Sequence, residues 1–535
     1  MYNSSVTIPH PALVSLLAIT ILAGFVFFWR LGTNPLEKWD EAIHAQVTHE
    51  MVASGNWLEL TWNHEPYFRK PPLRFWLSAP VITLFGENEF TIRFWSAIAG
   101  VLTTLLIALW AWQATKKVSA VWLATLIFLS GKYLFYHAFR TGETDGLMTF
   151  LTLLALWAYW RSWTKPRWLV LTAAALGLTF LTKFTAAGFA GLTILLHLIL
   201  TRGFARYSKK IWLQTLGVGL LVVAPWVVVQ LGIRGQAFFR EYVSEDIFER
   251  ANTNFYGFQA GPGWYWDVFV KRFFPFAAFV LPAGVWAITR WLRTRDALLG
   301  LWLTFLIITT AIVAFTASKT DWYLLPVYPV LALVMGTWMT RWFRWPLGWT
   351  TVALIVWGVA AFVRRLPSMV PDSGLTHWLV PQTYLTAFNT NTGRWVMAAL
   401  IAGVIVVLTA IARHRQSPKL WRGLLVLLLL WVGTIALAGQ RAELRLERGE
   451  KLLPEAREII RKEKPDVLYL TNVFLPHEPT VVFYLGNEPA TQIQNIDNSK
   501  NMPANTLVLE KLQNGVPQLL GTPLLASPDF RLIQK

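Results

Sequence analysis

Apolar runs of about 17–22 residues recur from residue 12 to about residue 439, and each is long enough to cross a hydrocarbon core of about 30 Å as a helix. Nothing else in the chain constrains it as strongly. In lipid a backbone must satisfy its own polar groups, so a chain built this way becomes a helix bundle. Composition agrees: 55% of the 535 residues are hydrophobic and 15% are charged, with a mean hydropathy of +0.43. Thirty Trp also suit a chain with many membrane–water boundaries. The expected architecture is a mostly α, polytopic membrane protein.

Thirteen spans are expected, near 12–29, 94–112, 119–138, 146–161, 168–182, 186–201, 211–231, 272–290, 297–316, 322–341, 347–363, 394–412 and 421–439. The first has no basic n-region and no small-residue cleavage site, and reads as a retained span. Alternate loops are then short and basic, as in Lys116/Lys117, Arg161/Lys165/Arg167 and Arg202/Arg206/Lys209/Lys210. Six such loops hold eighteen basic residues and one acid, Asp296, while the other twenty-nine acidic residues fall on the opposite side. Positive loops stay cytoplasmic, which places the N-terminus inside and the C-terminal tail outside the cytoplasmic (inner) membrane. The formal net charge of +18 is therefore a topology signal, with attraction to the lipid bilayer's anionic headgroups, and no nucleic-acid partner is expected. The chain has no cysteine, which excludes disulfides, thiol catalysis and thiolate metal sites.

Two parts are expected: residues 1–440 as the membrane-embedded domain, and residues 441–535 as a small extracytoplasmic α/β domain. The loop at 30–93 is too long for a simple turn. Within it Ile43, Val47 and Met51 form one helical stripe and Asp40, His44 and Thr48 another, which predicts an amphipathic interfacial helix stopped at Ser54-Gly55. Phe75 to Phe85 is apolar but too short to span. In the tail, Arg441 to Lys464 is charged and helix-favouring, and strands are expected at Val467–Leu470, Val481–Leu485, Thr506–Leu509 and Phe530–Ile533. The tail shows no clustered His or carboxylates and no Gly-rich phosphate loop, so it reads as structural or acceptor-facing.

Chemistry-bearing residues gather in the outward loops. Trp39-Asp40-Glu41 opens the expected interfacial helix; Asp40 serves there either as an N-cap or as a base or metal ligand at the membrane surface. Arg69 and Lys70 precede Pro71-Pro72, either snorkelling to the interface or forming a stiff phosphate clamp. Arg140-Thr141-Gly142-Glu143-Thr144-Asp145 puts two carboxylates where a helix enters the membrane, a costly place without partners. Lys183, and Lys319 with Tyr323, occupy two further outward turns, and Gly261-Pro262-Gly263-Trp264 opens an aromatic belt. Each motif alone has an ordinary structural explanation. Together they place carboxylates and cations at one face of the membrane, where a lipid phosphate lies.

At these residues the chain resembles the GT-C membrane glycosyltransferases of the aminoarabinose transferase and protein O-mannosyltransferase superfamily. The likeness covers roughly residues 12–345, in motif order. It rests on Asp40-Glu41, Gly55, Tyr67-Phe68-x-Lys70-Pro71-Pro72-Leu73, Leu84-Phe85-Gly86 with Arg93, Asp145, Phe180-Leu181-Thr182-Lys183, and Tyr323-Leu324-Leu325-Pro326-x-Tyr328-Pro329. The resemblance implies a GT-C fold and inverting transfer of a sugar from a polyprenyl-phosphate donor to a lipid, glycan or protein acceptor. It implies that Asp40 orients or deprotonates the acceptor, with Glu41 beside it and Asp145 as a second essential carboxylate. Lys70, Arg69, Lys183 and Lys319 are the expected donor-phosphate ligands, and His44, Glu143, Trp264 and Tyr323 the expected substrate lining. The resemblance fixes no cofactor; a divalent metal ion is the one candidate, with Asp40 and Asp145 as its ligands. The chain departs from the aminoarabinose transferases at Arg69, where they carry an acid, and at Gln259-Ala260-Gly261-Pro262, where they carry a His-containing stretch. Two other classes remain open, a polyprenyl-lipid transporter or flippase and a non-catalytic lipid-binding homologue. A flippase predicts charges near the midplane and repeated halves, and neither is present.

Overall fold

The computed structural model describes residues 9–342 except 38, 132–133, 135–136, 241–251, 254–260 and 274–275, together with 452–463, 465, 467–471, 478–485, 492–495, 506–511, 522–527 and 530–534. The expected spans at 347–363, 394–412 and 421–439 lie outside the described residues, as does the loop between the first two.

The chain enters as α1 (His10–Phe28), with a proline in its first turn where no backbone donor is lost. Then come α2 (Asp40–Ser54), a hairpin of β1 (Thr61–Trp62) and β2 (Glu65–Pro66), and α3 (Leu73–Phe85). A capping box fixes the start of α4 (Glu89–Thr115): the Asn88 side chain accepts from the Thr91 amide at 3.0 Å, and the Thr91 hydroxyl accepts from the Asn88 amide at 3.1 Å. The bundle continues through α5 (Val118–Leu129), α6 (Asp145–Ser162), α7 (Trp168–Phe180), α8 (Phe184–Leu200) and α9 (Lys209–Arg234). It closes with α10 (Trp264–Arg272), α11 (Ala277–Thr294), α12 (Ala297–Phe315) and α13 (Val327–Trp342). Among the described residues α1, α4, α9 and α12 are long and apolar enough to cross a membrane. Helices α3, α5, α7, α8 and most of α13 are apolar but shorter.

One large core joins α1, α4, α5, α6, α12 and α13, with Trp110, Phe128, Tyr159, Phe305 and Tyr328 fully buried. Gly336 lets α13 approach α5 closely, since a Cβ there would lie 2.7 Å from the Ala124 nitrogen. By contrast α9 packs on α7 and leaves Leu213, Leu220, Leu221 and Val228 exposed, as a lipid-facing helix does.

Three expectations need correction. The run expected as one span at 119–138 is interrupted: the helix that starts at Val118 ends at Leu129, where Ser130 and Gly131 turn the chain. The polar stripe of α2 does not face solvent: His44 and Thr48 are as buried as Ile43 and Val47, so α2 is an interior helix. Its apolar stripe packs on Leu60, Phe75 and Ala79.

The third concerns the tail, where Val481–Leu485 lies in a helix. The C-terminal elements are α14 (Leu452–Glu463), β3 (Val467–Thr471), α15 (Pro479–Leu485), β4 (Gln492–Asn495), β5 (Leu507–Lys511), β6 (Thr522–Ala526) and β7 (Phe530–Gln534). A short apolar run reads alike for helix and strand, and here Pro479 supplies a helix start. The strands form one sheet in the order β4-β3-β5-β7-β6, with β3 parallel to β4 and β5 and the remaining pairs antiparallel. The core of this unit continues without a break into Leu36, Ala45, Ile82 and Ile92 of the helical part. The sheet is thus docked on the end of the bundle that carries α2 and α3.

Candidate active site

Asp40 is the first residue of α2 and caps nothing. The residue before it, Trp39, takes the N-cap position with φ 70° and ψ −120°, a rare conformation for a bulky side chain, and no side-chain cap hydrogen bond forms. The Asp40 carboxylate is left to point into a cavity. Burial alone would raise its pKa, but Lys70, and after it His44, His137 and Lys183, hold Asp40 well below the usual carboxylate range. It is ionised at any physiological pH.

Glu41 faces the other way. Its carboxylate takes Arg93 Nε at 2.7 Å and Nη2 at 2.8 Å, the Gly142 amide at 2.5 Å and the Glu37 amide at 2.6 Å. Arg93 spends its remaining donors on the carbonyls of Leu31, Asn34 and Pro35. Glu41 is fully buried; burial raises its pKa, yet the Arg93 charge and these hydrogen bonds leave it net lowered. The structure therefore places Glu41 in a staple joining α2, α4 and the 140–145 loop, away from the cavity lining.

Gly142 is wedged into that staple. A Cβ there would sit 2.9 Å from an Arg74 nitrogen and 3.1 Å from Glu41 Cγ. Its carbonyl accepts from Arg74 Nε at 2.7 Å and contacts His44 Nδ1 at 3.1 Å. Burial, then the Arg74 and Lys70 charges, push the His44 imidazole down to about 3, against the pull of Asp40, so it is neutral. Glu143, 2% exposed, lies 3.6 Å from His44 Nδ1 and 3.9 Å from His137 Nδ1. Burial first, then the charges of Asp40 and Asp145, raise its pKa well above the usual value.

Lys70 is nearly buried at the cavity wall and Arg69 is exposed beside it. Pro71 and Pro72 stiffen this corner, and the Leu73 amide ties it to the Leu181 carbonyl at 3.0 Å. Across the cavity Asp145 opens α6 and receives Lys183 Nζ at 2.9 Å. Lys183 also lies 5.6 Å from the Tyr323 ring centroid. Burial opposes its charge, but Asp145 and Tyr323 keep its pKa raised.

Asp40, Arg69, Lys70, Asp145, Lys183 and Tyr323 thus meet around one cavity of about 440 Å³. The rest of its wall is mostly apolar: Phe184, Ala186, Phe189 and Leu192 of α8 face Ile312 and Val313 of α12. A charged end opens into a greasy groove between two helices. The remaining candidates sit elsewhere. His44 and Glu143 are close neighbours of the charged end without lining it; Lys319 donates to the Thr316 carbonyl at 2.5 Å; Trp264 packs against Tyr265, 5.0 Å between centroids.

Sequence reasoning missed His137 and Trp322, whose rings lie 3.9 Å apart beside the site. His137 falls within a run read as a span, where a lone imidazole gives no signal. His137, Glu143 and Asp145 each offer a ligand atom, all within 4.8 Å of one another, and could hold a divalent cation. With Glu143 deprotonated, one imidazole and two carboxylates are a fitting donor set, and Glu143 Oε2 has no hydrogen-bond partner. Lys183 already neutralises Asp145, so a cation would share that carboxylate.

The family model described as dolichyl-phosphate-mannose-protein mannosyltransferase matches residues 69–229. An uncharacterized protein of Aquifex aeolicus is 26% identical over 325 residues, 59% of this chain and 62% of its own. The undecaprenyl phosphate-alpha-4-amino-4-deoxy-L-arabinose arabinosyl transferase 1 of Pseudomonas fluorescens is 28% identical over 337 residues, 59% of this chain and 58% of its own. The chain therefore spans about 60% of the length of the curated relatives it matches. In three dimensions, the crystal structure of ArnT from Cupriavidus metallidurans bound to undecaprenyl phosphate superposes with a TM-score of 0.68 at 19% identity, covering 97% of both chains. The fold is that of ArnT. The resemblance to the GT-C glycosyltransferases of the aminoarabinose transferase and protein O-mannosyltransferase superfamily holds. The chain is a multi-pass membrane protein.

Proposed function

We propose that this chain is an integral-membrane glycosyltransferase that moves a sugar, with inversion, from a polyprenyl-phosphate donor to a lipid, glycan or protein acceptor. The observation that carries this reading is the shape of the cavity. A cluster of cations and carboxylates continues into an apolar groove between α8 and α12, which suits an anionic head on a prenyl tail. The name of the Pseudomonas fluorescens relative and the ligand of the superposed ArnT point to the same donor class. The work is done outside the inner membrane, with the N-terminus cytoplasmic, thirteen spans up to residue 440, and an extracytoplasmic α/β domain from 441.

In the proposed reaction the acceptor oxygen attacks the sugar's anomeric carbon as the bond from that carbon to the phosphate oxygen breaks. Lys70 and Arg69 hold the phosphate and offset the charge that grows on it as it departs. Lys183, braced by Asp145, supplies a second cation across the cavity. Asp40 accepts the hydrogen bond of the attacking group and fixes its direction. A carboxylate held so low is a weak base, so the acceptor proton ends on the released phosphate monoester, whose second pKa is about 6. Should a divalent ion sit at His137, Glu143 and Asp145, it would add charge stabilisation of the same kind.

The test is transfer in proteoliposomes with a panel of polyprenyl-phosphate sugars, the products identified by mass spectrometry. Asp40→Asn, which weakens the acceptor that aims the attacking group, is expected to lower turnover by about 10²-fold while donor affinity stays within a few-fold. Lys70→Ala is expected to weaken donor binding. Full turnover by Asp40→Asn would remove the assignment.

A further inference from the structure

We propose that Tyr484, in the C-terminal α/β unit, is a positioning residue for Asp40, and that this unit serves to complete the site. The inference rests on the reading of Asp40 as the group that meets the acceptor. Tyr484 never reaches the cavity. Its hydroxyl accepts the Leu36 amide at 2.9 Å and donates to Glu89 Oε1 at 2.7 Å. Tyr484 is 2% exposed, so both bonds form away from competing water.

Leu36 precedes Asp40 by four residues, and the backbone that leads up to Leu36 is held from two sides. Arg93 takes the carbonyls of Leu31, Asn34 and Pro35 and the carboxylate of Glu41. Arg93 lies one turn beyond Glu89 on the same helix, α4. Tyr484 binds the next free donor, the Leu36 amide, and anchors it to Glu89. The Leu36 side chain is fully buried in the core that the C-terminal sheet shares with α2 and α4. Two points on α4 therefore bracket the approach to Asp40, and one of them exists only when the C-terminal unit is docked. The Trp39 backbone shows why two are needed. A residue at φ 70° relaxes unless its neighbours hold it, and relaxation at Trp39 would swing Asp40 out of the cavity. Displacement by about 1 Å is enough to cost a reacting group on the order of 10²-fold in rate.

Tyr484→Phe removes both hydrogen bonds and keeps the ring, which packs 5.1 Å from Phe483. The expected result is a kcat about tenfold lower with donor KM within about twofold and a melting temperature lowered by no more than about 4 °C, the cost of a buried amide left without its acceptor. Glu89→Gln, which retains the acceptor oxygen, should stay near wild type, and Glu89→Ala should match Tyr484→Phe without adding to it. Hydrogen exchange of the peptide spanning 36–45 gives a readout that needs no turnover: its protection should fall in Tyr484→Phe while that of α4 does not. Parallel loss of kcat, KM and melting temperature would make Tyr484 merely structural and overturn the proposal, as would unchanged exchange. A wild-type protein that transfers nothing would sink the glycosyltransferase reading, and the exchange experiment would still decide the tether.

Discussion

Replacing Glu41 by Gln separates a structural carboxylate from a chemical one. Glu41 accepts four hydrogen bonds within 2.5–2.8 Å, two from a buried guanidinium and two from backbone amides. The amide keeps one acceptor oxygen and puts an NH₂ group against donors that already point inward. It also strips the Arg93 charge of its counter-ion at a site where both side chains are 5% exposed or less. Breaking such a pair from one side costs about 3–5 kcal/mol, a large part of the 5–15 kcal/mol that holds a typical protein folded. A loss of that size should lower the melting temperature of the detergent-solubilised protein by at least about 5 °C. Glu41→Gln combined with Arg93→Met removes both charges and should recover part of the loss, which a thermal-shift series on the four proteins would show. The sign with pH follows too. Because the folded Glu41 pKa is lowered, its stabilisation is present above the ordinary glutamate value and lost only as pH falls through the lower folded one. A Glu41→Gln protein as stable as wild type but without transfer would refute this account and return Glu41 to the chemistry.

Glu143 has the opposite signature. Its raised pKa means that its contribution to stability is complete below the usual value of 4.5 and is lost as pH rises towards the folded value. Wild-type melting temperature should therefore fall with pH over that window more steeply than that of Glu143→Gln, whose amide mimics the neutral acid; equal slopes would count against a buried neutral Glu143. In the groove, a Cβ on Gly188 meets nothing within 4 Å, so Gly188→Leu should fold normally and fill the space. It should raise KM for a long-chain donor at least about fivefold and leave a short-chain one unaffected, since a single leucine side chain buries about 1.5–3 kcal/mol worth of surface. Equal KM values for both donors would place the prenyl chain elsewhere.

The helix pattern and the convergence of charge were legible in the sequence because both follow from one-dimensional rules. Apolar run length fixes where helices cross, and basic loops mark alternate ends, so the sequence alone puts Asp40, Lys70, Asp145 and Lys183 on one face. What each carboxylate does there was not legible. Neighbours on a helix point about 100° apart, and that rotation sends Asp40 into the cavity and Glu41 into Arg93. The choice between N-cap and site residue at Asp40 depended on the backbone of Trp39, which no propensity records. His137 was hidden by the apolar run around it. Val481–Leu485 could be helix or strand until its packing against α2 decided. Lys319, like Lys183, is a lysine in an outward turn, yet a carbonyl three residues back took its ammonium group.

The Leu36 amide and the Tyr484 hydroxyl are separated by 448 positions in the chain. A polypeptide still being made has inserted its first helices, and exposed Asp40, long before Tyr484 emerges from the ribosome. During that interval the clasp on Leu36 cannot close, so the order of synthesis itself keeps the site unfinished until Tyr484 has been made and its unit has folded.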